Sequence, residues 1–321
     1  MRRALAFLVL LASSASADSR CAIEAAPVSP ARKAGKPTCH RAPAAIEKTI
    51  RDAITKEFDP THDGGKASVT FGCDGLGKTI REIVIETGSG HGGSLGMWRA
   101  TRAADGAYDV RGITNSRDEP PFTLVGGSTA APDLETVRAA VTAKVKEVWP
   151  PPPKGMIGGM RFGSSSNDFH VLVRLTDTDG RVVERRFTGY AGSGDQDTYL
   201  GINVALEALS PITILPATGA ALTDADRALF AERFAAAVPH FDDEFSWWVM
   251  ERFVDLARFV GDRTTIPGLL TRMTVTKPDR SKVDARTAAI DALAKITGWD
   301  ARVPKASDEE VGKRYLAGCK R

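Results

Sequence analysis

The chain has 321 residues, of which 42% are hydrophobic, so it is long enough to bury the cores of two or three domains. Its 43 lysines and arginines nearly balance its 40 aspartates and glutamates, for a formal net charge of +3. The sequence has no polybasic patch interleaved with aromatic residues, which argues against nucleic acid and against an anionic membrane surface as partners.

Residues 1–17 have the pattern of a secretory signal peptide. A basic start is followed by an apolar run over residues 4–12 and by the small-residue cleavage site Ala15-Ser16-Ala17. The apolar run is shorter than the roughly 20 residues that a membrane span needs, although an uncleaved anchor is an alternative. The pattern predicts a protein exported through the secretory pathway, periplasmic or extracellular, without stable membrane insertion of the mature chain.

Four cysteines follow this leader, namely Cys21, Cys39, Cys73 and Cys319. An even number of cysteines in an exported protein favours disulfide bonds, and four allow three complete pairings. We predict Cys21–Cys319 together with Cys39–Cys73. No Cys-x-x-Cys pair is present, so a cysteine-bound metal is not expected.

The first half of the mature chain is predicted to be α+β. Residues 18–42 lack periodicity and are predicted to form a loose N-terminal segment. Across residues 43–215, helical apolar stripes alternate with short β-type runs. Helix-then-strands occurs twice, at 43–115 and at 132–215, which we interpret as a possible duplication of one helix-plus-antiparallel-sheet unit. The order of elements in the second copy is similar to the C-terminal domain of TonB-type envelope proteins.

Individual elements of this half follow from the same patterns. A second helix is predicted over residues 133–149, because Val137, Val141 and Val145 share one helical face. The turn signals Asp105-Gly106 and Asp179-Gly180 predict hairpins. The predicted strands cover residues 67–73, 79–87, 95–102, 108–113, 156–162, 169–177 and 182–190.

Residues 220–321 are predicted to be all-helical. Thr223 is a favourable N-cap with Asp226 three residues later. Trp248 lies on the apolar face of the next helix. Its neighbour Trp247 points about 100° away, so it is a candidate for contact with a partner protein or with the other domain.

Two further helices are predicted between residues 264 and 300, joined by a polar turn. The first opens with Ile266-Pro267-x-Leu269-Leu270, the turn contains Asp279, and the second helix runs from Ala285-Arg286 into Ala292-Leu293-x-x-Ile296-Thr297-Gly298. This stretch resembles a HEAT repeat, with Ala285 where a valine is usual. The resemblance implies a helical scaffold used for protein contacts, and it implies no catalytic residues.

The loop Gly88-Ser89-Gly90-His91-Gly92-Gly93-Ser94 is the main candidate for chemistry. It could cradle an anion, with His91 as acid, base or ligand, or it could simply connect two strands. His62 could share a metal ion with His91, although such a site needs three or four convergent ligands. Asp195 replaces the histidine in the second copy of the loop.

These observations favour an exported bacterial envelope protein that acts as a non-catalytic interaction scaffold, with an unknown protein partner and no cofactor. The alternative is an envelope hydrolase or metal-binding protein that uses the His91 loop together with His62 or Asp195. A third hypothesis is a small-ligand binder in a crevice between the two halves.

Overall fold

The computed structural model describes most of the central sheet and of the helical region. The described residues are 20–30, 33, 44–48, 52, 68–71, 74–89, 94–115, 122–129, 134–146, 168–190, 209, 215–217, 220–240, 247–274 and 282–319. Within these residues, the chain forms one large antiparallel sheet, a separate two-stranded ladder, and helices that pack on both faces of the sheet.

The described strands are β1 (Ser68–Phe71), β2 (Ile80–Ser89), β3 (Ser94–Arg102), β4 (Tyr108–Asn115), β5 (Thr123–Thr129), β6 (Ala143–Lys146), β7 (Asp168–Asp177), β8 (Val182–Tyr190) and β9 (Leu215–Pro216). Seven of them form the sheet, in the order β8-β7-β2-β3-β4-β5-β9, with antiparallel neighbours throughout. Strands from both predicted α+β units therefore belong to this sheet, in which β2 pairs with β7.

Two hairpins form at the predicted turns. Gly106 lies between β3 and β4 with φ of 90°, and Gly180 lies between β7 and β8 with φ of 78°. Glycine adopts such left-handed values without the steric cost that a side chain would bring. The Asp-Gly signals therefore located both hairpins correctly. Strand β5, which includes Gly126-Gly127, was not predicted.

The helix predicted over residues 133–149 is shorter than expected. The described helices are α1 (Leu134–Thr142), α2 (Asp224–Ala237), α3 (Trp247–Val260), α4 (Ile266–Thr274), α5 (Lys282–Thr297) and α6 (Asp308–Gly318). After α1 the chain becomes strand β6, which pairs with β1, so the helix prediction is wrong over residues 143–146. Valines four residues apart suit one side of a strand as well as one face of a helix, and here pairing with another strand decides between them.

The sheet is covered on both faces. Ile83, Ile85 and Trp98 belong to a core that α1 closes with Val137 and Val141. We call the opposite side of the sheet, which the C-terminal helices cover, the helical face.

On the helical face, Val84, Leu95 and Met97 pack into a second core together with Phe230 of α2 and Phe253 of α3. Because β-strand side chains alternate between faces, adjacent residues of β2 and β3 enter different cores. A sheet covered on both sides has no face left for unpaired polar residues, so polar side chains pointing inward need partners.

The helical region begins with the predicted cap. Thr223 accepts a hydrogen bond from the Asp226 backbone N–H, and the Asp226 carboxylate accepts one from the Thr223 N–H, so the capping box is complete. Helices α4 and α5 occupy the predicted HEAT-like pair, and Gly298 ends α5 with φ of 68°. Helix α6 was not predicted. The mixed α+β class and the helical C-terminal region are confirmed, whereas the HEAT resemblance and the duplication stay predictions.

Candidate functional site

A group of charged side chains lies between the helical face of the sheet and α2. We call it the charged cluster, and it consists of Glu86 from β2, His170 and Arg174 from β7, and Glu232 and Arg233 from α2. Each of these residues is at most 6% exposed to solvent. Segments far apart in the sequence thus bring acids, bases and cations together inside the protein.

Alternation along the strands places these groups on one face. On β2, Glu86 follows Val84 by two residues, and on β7, Arg174 follows His170 by four, so each pair points to the same side of the sheet. In the antiparallel pairing of β2 with β7, Val84 lies opposite Arg174 and Gly88 lies opposite His170. Gly88 has no side chain that could separate His170 from Glu86.

Glu86 binds two partners through its two carboxylate oxygens. Arg233 donates from Nε to Glu86 Oε2 at 2.7 Å, and His170 Nε2 lies 2.5 Å from Glu86 Oε1. Burial raises the pKa of Glu86, but the positive charge of Arg233 and the hydrogen bond from His170 outweigh it, so this pKa lies well below the ordinary value. Glu86 is therefore an ionised carboxylate and cannot act as a proton donor near neutral pH.

Glu232 forms the second centre of the cluster. Arg174 donates from Nη1 to Glu232 Oε1, and Arg99 of β3 donates from Nη2 to Glu232 Oε2 at 2.9 Å. The Arg99 Nε is also 3.1 Å from Glu82 Oε2. Arg174 and Arg99 thus each contact Glu232, and the charges of opposite sign are interleaved.

Arg233 in α2 makes fewer hydrogen bonds than a buried guanidinium group requires. Both terminal nitrogens of Arg233, and Nδ1 of His170, are buried and make no hydrogen bond to the described residues. The Arg233 Nη1 lies 3.8 Å from Glu184 Oε2, a charge contact beyond hydrogen-bond range. The bond from Arg233 to Glu86 is therefore the main compensation for burying this cation.

One more ion pair joins α2 to the sheet. Arg111 of β4 donates from Nε and from Nη2 to the two oxygens of Asp226, at 3.1 and 2.8 Å. Burial raises the pKa of Asp226, but the hydrogen bonds from Arg111 and Thr223 together lower this pKa by more, so the net shift is downward. The same carboxylate thus completes the helix cap and fastens the helix N-terminus to β4.

The predicted disulfide Cys21–Cys319 is present and closes the N-terminal segment onto the end of α6. The two Cα atoms are 4.9 Å apart across a sequence separation of 298. Next to it, the backbone N–H of Arg20 donates to the Gly318 carbonyl at 2.9 Å, and the Arg20 guanidinium lies 4.9 Å from the Trp299 ring centroid.

The same N-terminal segment also reaches the sheet. Lys33 donates from Nζ to the carbonyl oxygen of Asp179, in the turn between β7 and β8, at 2.9 Å. The segment therefore connects the last described helix with one end of the sheet.

An open cleft of about 340 Å³ lies beside the Arg111–Asp226 pair. The cleft is lined by residues of β4 and β5, including Gly112 and Gly126, and by Ala217. Among the described residues that line it, Arg111 alone is ionisable, and its guanidinium is already bound to Asp226. The cleft is separate from the charged cluster, none of whose members lines it.

Only some of the predicted site residues lie within the described part of the chain. Cys21 and Cys319 form the predicted bond. Cys39, Cys73, His62, His91 and Asp195 lie outside the described residues, as does the side chain of Trp247, although Trp247 itself begins α3. Within the described ranges, no three histidine, cysteine, aspartate or glutamate side chains are arranged to hold a metal ion.

Sequence reasoning missed the charged cluster. A usable signal was present, because β2 and β7 each carry ionisable residues at a spacing of four, Glu82 with Glu86 and His170 with Arg174. Such spacing marks one side of a strand. The sequence does not show whether that side faces solvent, and the helices that cover it only become apparent in the folded chain.

Comparisons with protein-family models, with curated proteins and with solved structures find no match to this chain.

Proposed function

We propose that this chain is an exported protein of a bacterial envelope that acts as a non-catalytic scaffold for protein contacts. The observation that carries the proposal is the burial of the charged cluster between the sheet and α2. Glu86 and Arg233 are at most 1% exposed and neutralise each other. A substrate would have to displace α2 to reach them, so this arrangement favours fastening two layers over catalysis.

Export is supported by two independent features. The leader pattern of residues 1–17 addresses the chain to the secretory pathway. The Cys21–Cys319 bond suits an oxidising compartment, because cytosolic thiols are kept reduced. Among the helices that the structure describes, none is long and apolar enough to cross a membrane.

The contact surface is proposed to lie on the HEAT-like pair, α4 and α5. Their inner sides are packed into the helical core, where Leu269 and Leu293 have no exposed surface. Their outer sides carry exposed residues such as Thr271 and Lys295. We propose the division into a segment at 18–42, an α+β region at 43–215 and a helical region at 220–321 as part of the same scaffold.

Site-specific photo-crosslinking in cells tests this proposal. A benzophenone amino acid would replace Thr271 or Lys295 on the helical pair, with Arg81, an exposed residue of β2, as the matched control position. We expect discrete crosslinked products from the helical positions, abolished by excess unlabelled protein, and none from position 81. Equal products at all positions, or none at the helical positions, would refute the scaffold.

A further inference from the structure

The order of the cysteines along the chain differs from the pairing in the folded protein. Cys21 is bonded to Cys319, although Cys39 and Cys73 lie between them in the sequence. Both bonded cysteines are at most 3% exposed, so this bond belongs to the finished fold. It is a pairing of non-consecutive cysteines.

Export presents these cysteines in a different order. A chain that enters the oxidising compartment N-terminus first exposes Cys21, Cys39 and Cys73 long before Cys319 arrives. A dithiol oxidase present there would join the first available pair. Closing the short loop between Cys21 and Cys39 also costs less chain entropy than closing one that spans 298 positions. Oxidation during export therefore favours the non-native Cys21–Cys39 bond.

We propose that this protein is a substrate of an exported thiol–disulfide isomerase, which must rearrange a bond between consecutive cysteines into Cys21–Cys319. The proposal rests on the export proposed above. The partner is identified by its chemistry, a reactive thiolate within the same oxidising compartment.

The rearrangement needs no net oxidant. The isomerase thiolate attacks Sγ of Cys21 in the Cys21–Cys39 bond, forming a mixed disulfide and releasing the Cys39 thiolate. The Cys319 thiolate then attacks Sγ of Cys21 and releases the isomerase thiolate, so one disulfide is exchanged for another. Oxidation of Cys39 with Cys73 removes two electrons and two protons, which the oxidase disulfide accepts in becoming a dithiol.

A mispaired chain lacks the covalent link that holds Cys21 beside α6 in the folded protein. Cys21 must lie next to α6 for the Arg20 N–H to reach the Gly318 carbonyl and for Ile23 to join the helical core. A Cys21–Cys39 bond leaves the end of α6 without Cys21 as its covalent partner. Cys319 can bond to Cys21 only after the Cys21–Cys39 bond has opened.

The experiment expresses the full chain, with its leader, in bacterial hosts with and without their periplasmic disulfide isomerase. Free thiols are alkylated at lysis, and the disulfide-linked peptides of the exported protein are quantified by mass spectrometry. Without the isomerase, we expect the fraction with Cys21–Cys319 to fall to about one third or less, the share expected for an unguided choice among three pairings. The Cys21–Cys39 peptide should rise correspondingly.

The variant Cys39→Ser/Cys73→Ser is the matched control. It retains only the two cysteines of the native bond, so it should form Cys21–Cys319 equally well in both hosts. Equal native pairing of the exported wild-type protein in both hosts would overturn the isomerase proposal alone. A reduced precursor that keeps its leader in both hosts would overturn the proposed export and this inference with it.

Discussion

Arg233 places a guanidinium where none of its surface reaches solvent, and the Glu86 carboxylate at 2.7 Å compensates its charge. A cation buried in this way is costly unless it is paired, and removing one partner of a buried pair is far more damaging than replacing both by apolar groups. The Glu86 carboxylate therefore contributes strongly to holding α2 on the sheet.

Replacing Glu86 with glutamine tests this dependence. Glu86→Gln keeps the shape of the side chain but leaves Arg233 without its counter-charge, so we expect the free energy of unfolding to fall by about 3–5 kcal/mol. Urea denaturation measures it. The control is Glu309→Gln, which removes the carboxylate that pairs with Lys313 on the exposed side of α6 and should leave the midpoint unchanged.

A second substitution tests whether the unpaired Arg233 causes the loss of stability. Adding Arg233→Met to Glu86→Gln should recover much of the lost stability, because the unpaired cation is then gone. A Glu86→Gln protein as stable as the wild type would show that the pair does not fasten α2.

Low pH should destabilise the contact between α2 and the sheet. The pKa values of Glu86 and Asp226 are lowered in the folded protein, so the unfolded chain binds their protons more readily. The stability they contribute is present above the unfolded pKa of about 4 and is lost as the pH falls through the lower folded values. Urea midpoints measured from pH 6 to pH 2 should decline mainly below pH 4, and less steeply in Asp226→Asn. A midpoint that rises on acidification would contradict the assignment.

At the scale of elements, α4 packs against α2 through a glycine. A Cβ atom on Gly268 would lie 2.5 Å from Cε1 of Phe234 and 2.6 Å from Cγ2 of Val238, both too close for carbon atoms. The HEAT-like pair can approach α2 only because this position has no side chain. The close contact ties the proposed scaffold surface to the helix that holds the charged cluster.

Gly268→Ala should therefore destabilise the protein by about 1–3 kcal/mol, despite the better helix propensity of alanine. Thr271→Ala, at an exposed position of the same helix, is the control and should be nearly neutral. Thermal unfolding of both variants provides the comparison. In a Phe234→Leu background the cost of Gly268→Ala should shrink, and an unchanged cost would argue against the clash.

Local signals predicted the elements whose conformation is set locally. The Thr223 cap, the Asp-Gly turns and the Gly298 helix end depend on residues close in sequence, and all three are found where the sequence placed them. Strand β6 depends on pairing with β1, which lies more than seventy residues earlier, so its sequence alone could not distinguish a helix from a strand. The charged cluster is equally non-local, because it requires β2, β7 and α2 to meet.

For the whole molecule, the Cys21–Cys319 bond joins the N-terminal segment to the end of the helical region. In the chain-entropy model, closing so long a loop restricts the unfolded chain and contributes about 3–5 kcal/mol. Cys21→Ser/Cys319→Ser should lower the melting temperature of the mature protein while preserving its far-ultraviolet circular dichroism. The wild-type protein in a strong reductant should show a similar shift. A melting temperature that neither change affects would mean that the bond adds nothing to stability.

We propose that the charged cluster fastens the sheet to the helices and performs no chemistry. Glu86→Met/His170→Leu/Arg233→Met replaces its innermost members by apolar side chains while removing one negative and one positive charge. In-cell photo-crosslinking from Lys295 in this variant is the most direct test. We predict a folded protein with the wild-type pattern of crosslinked products. A variant as stable as the wild type that has lost those products would contradict the claim.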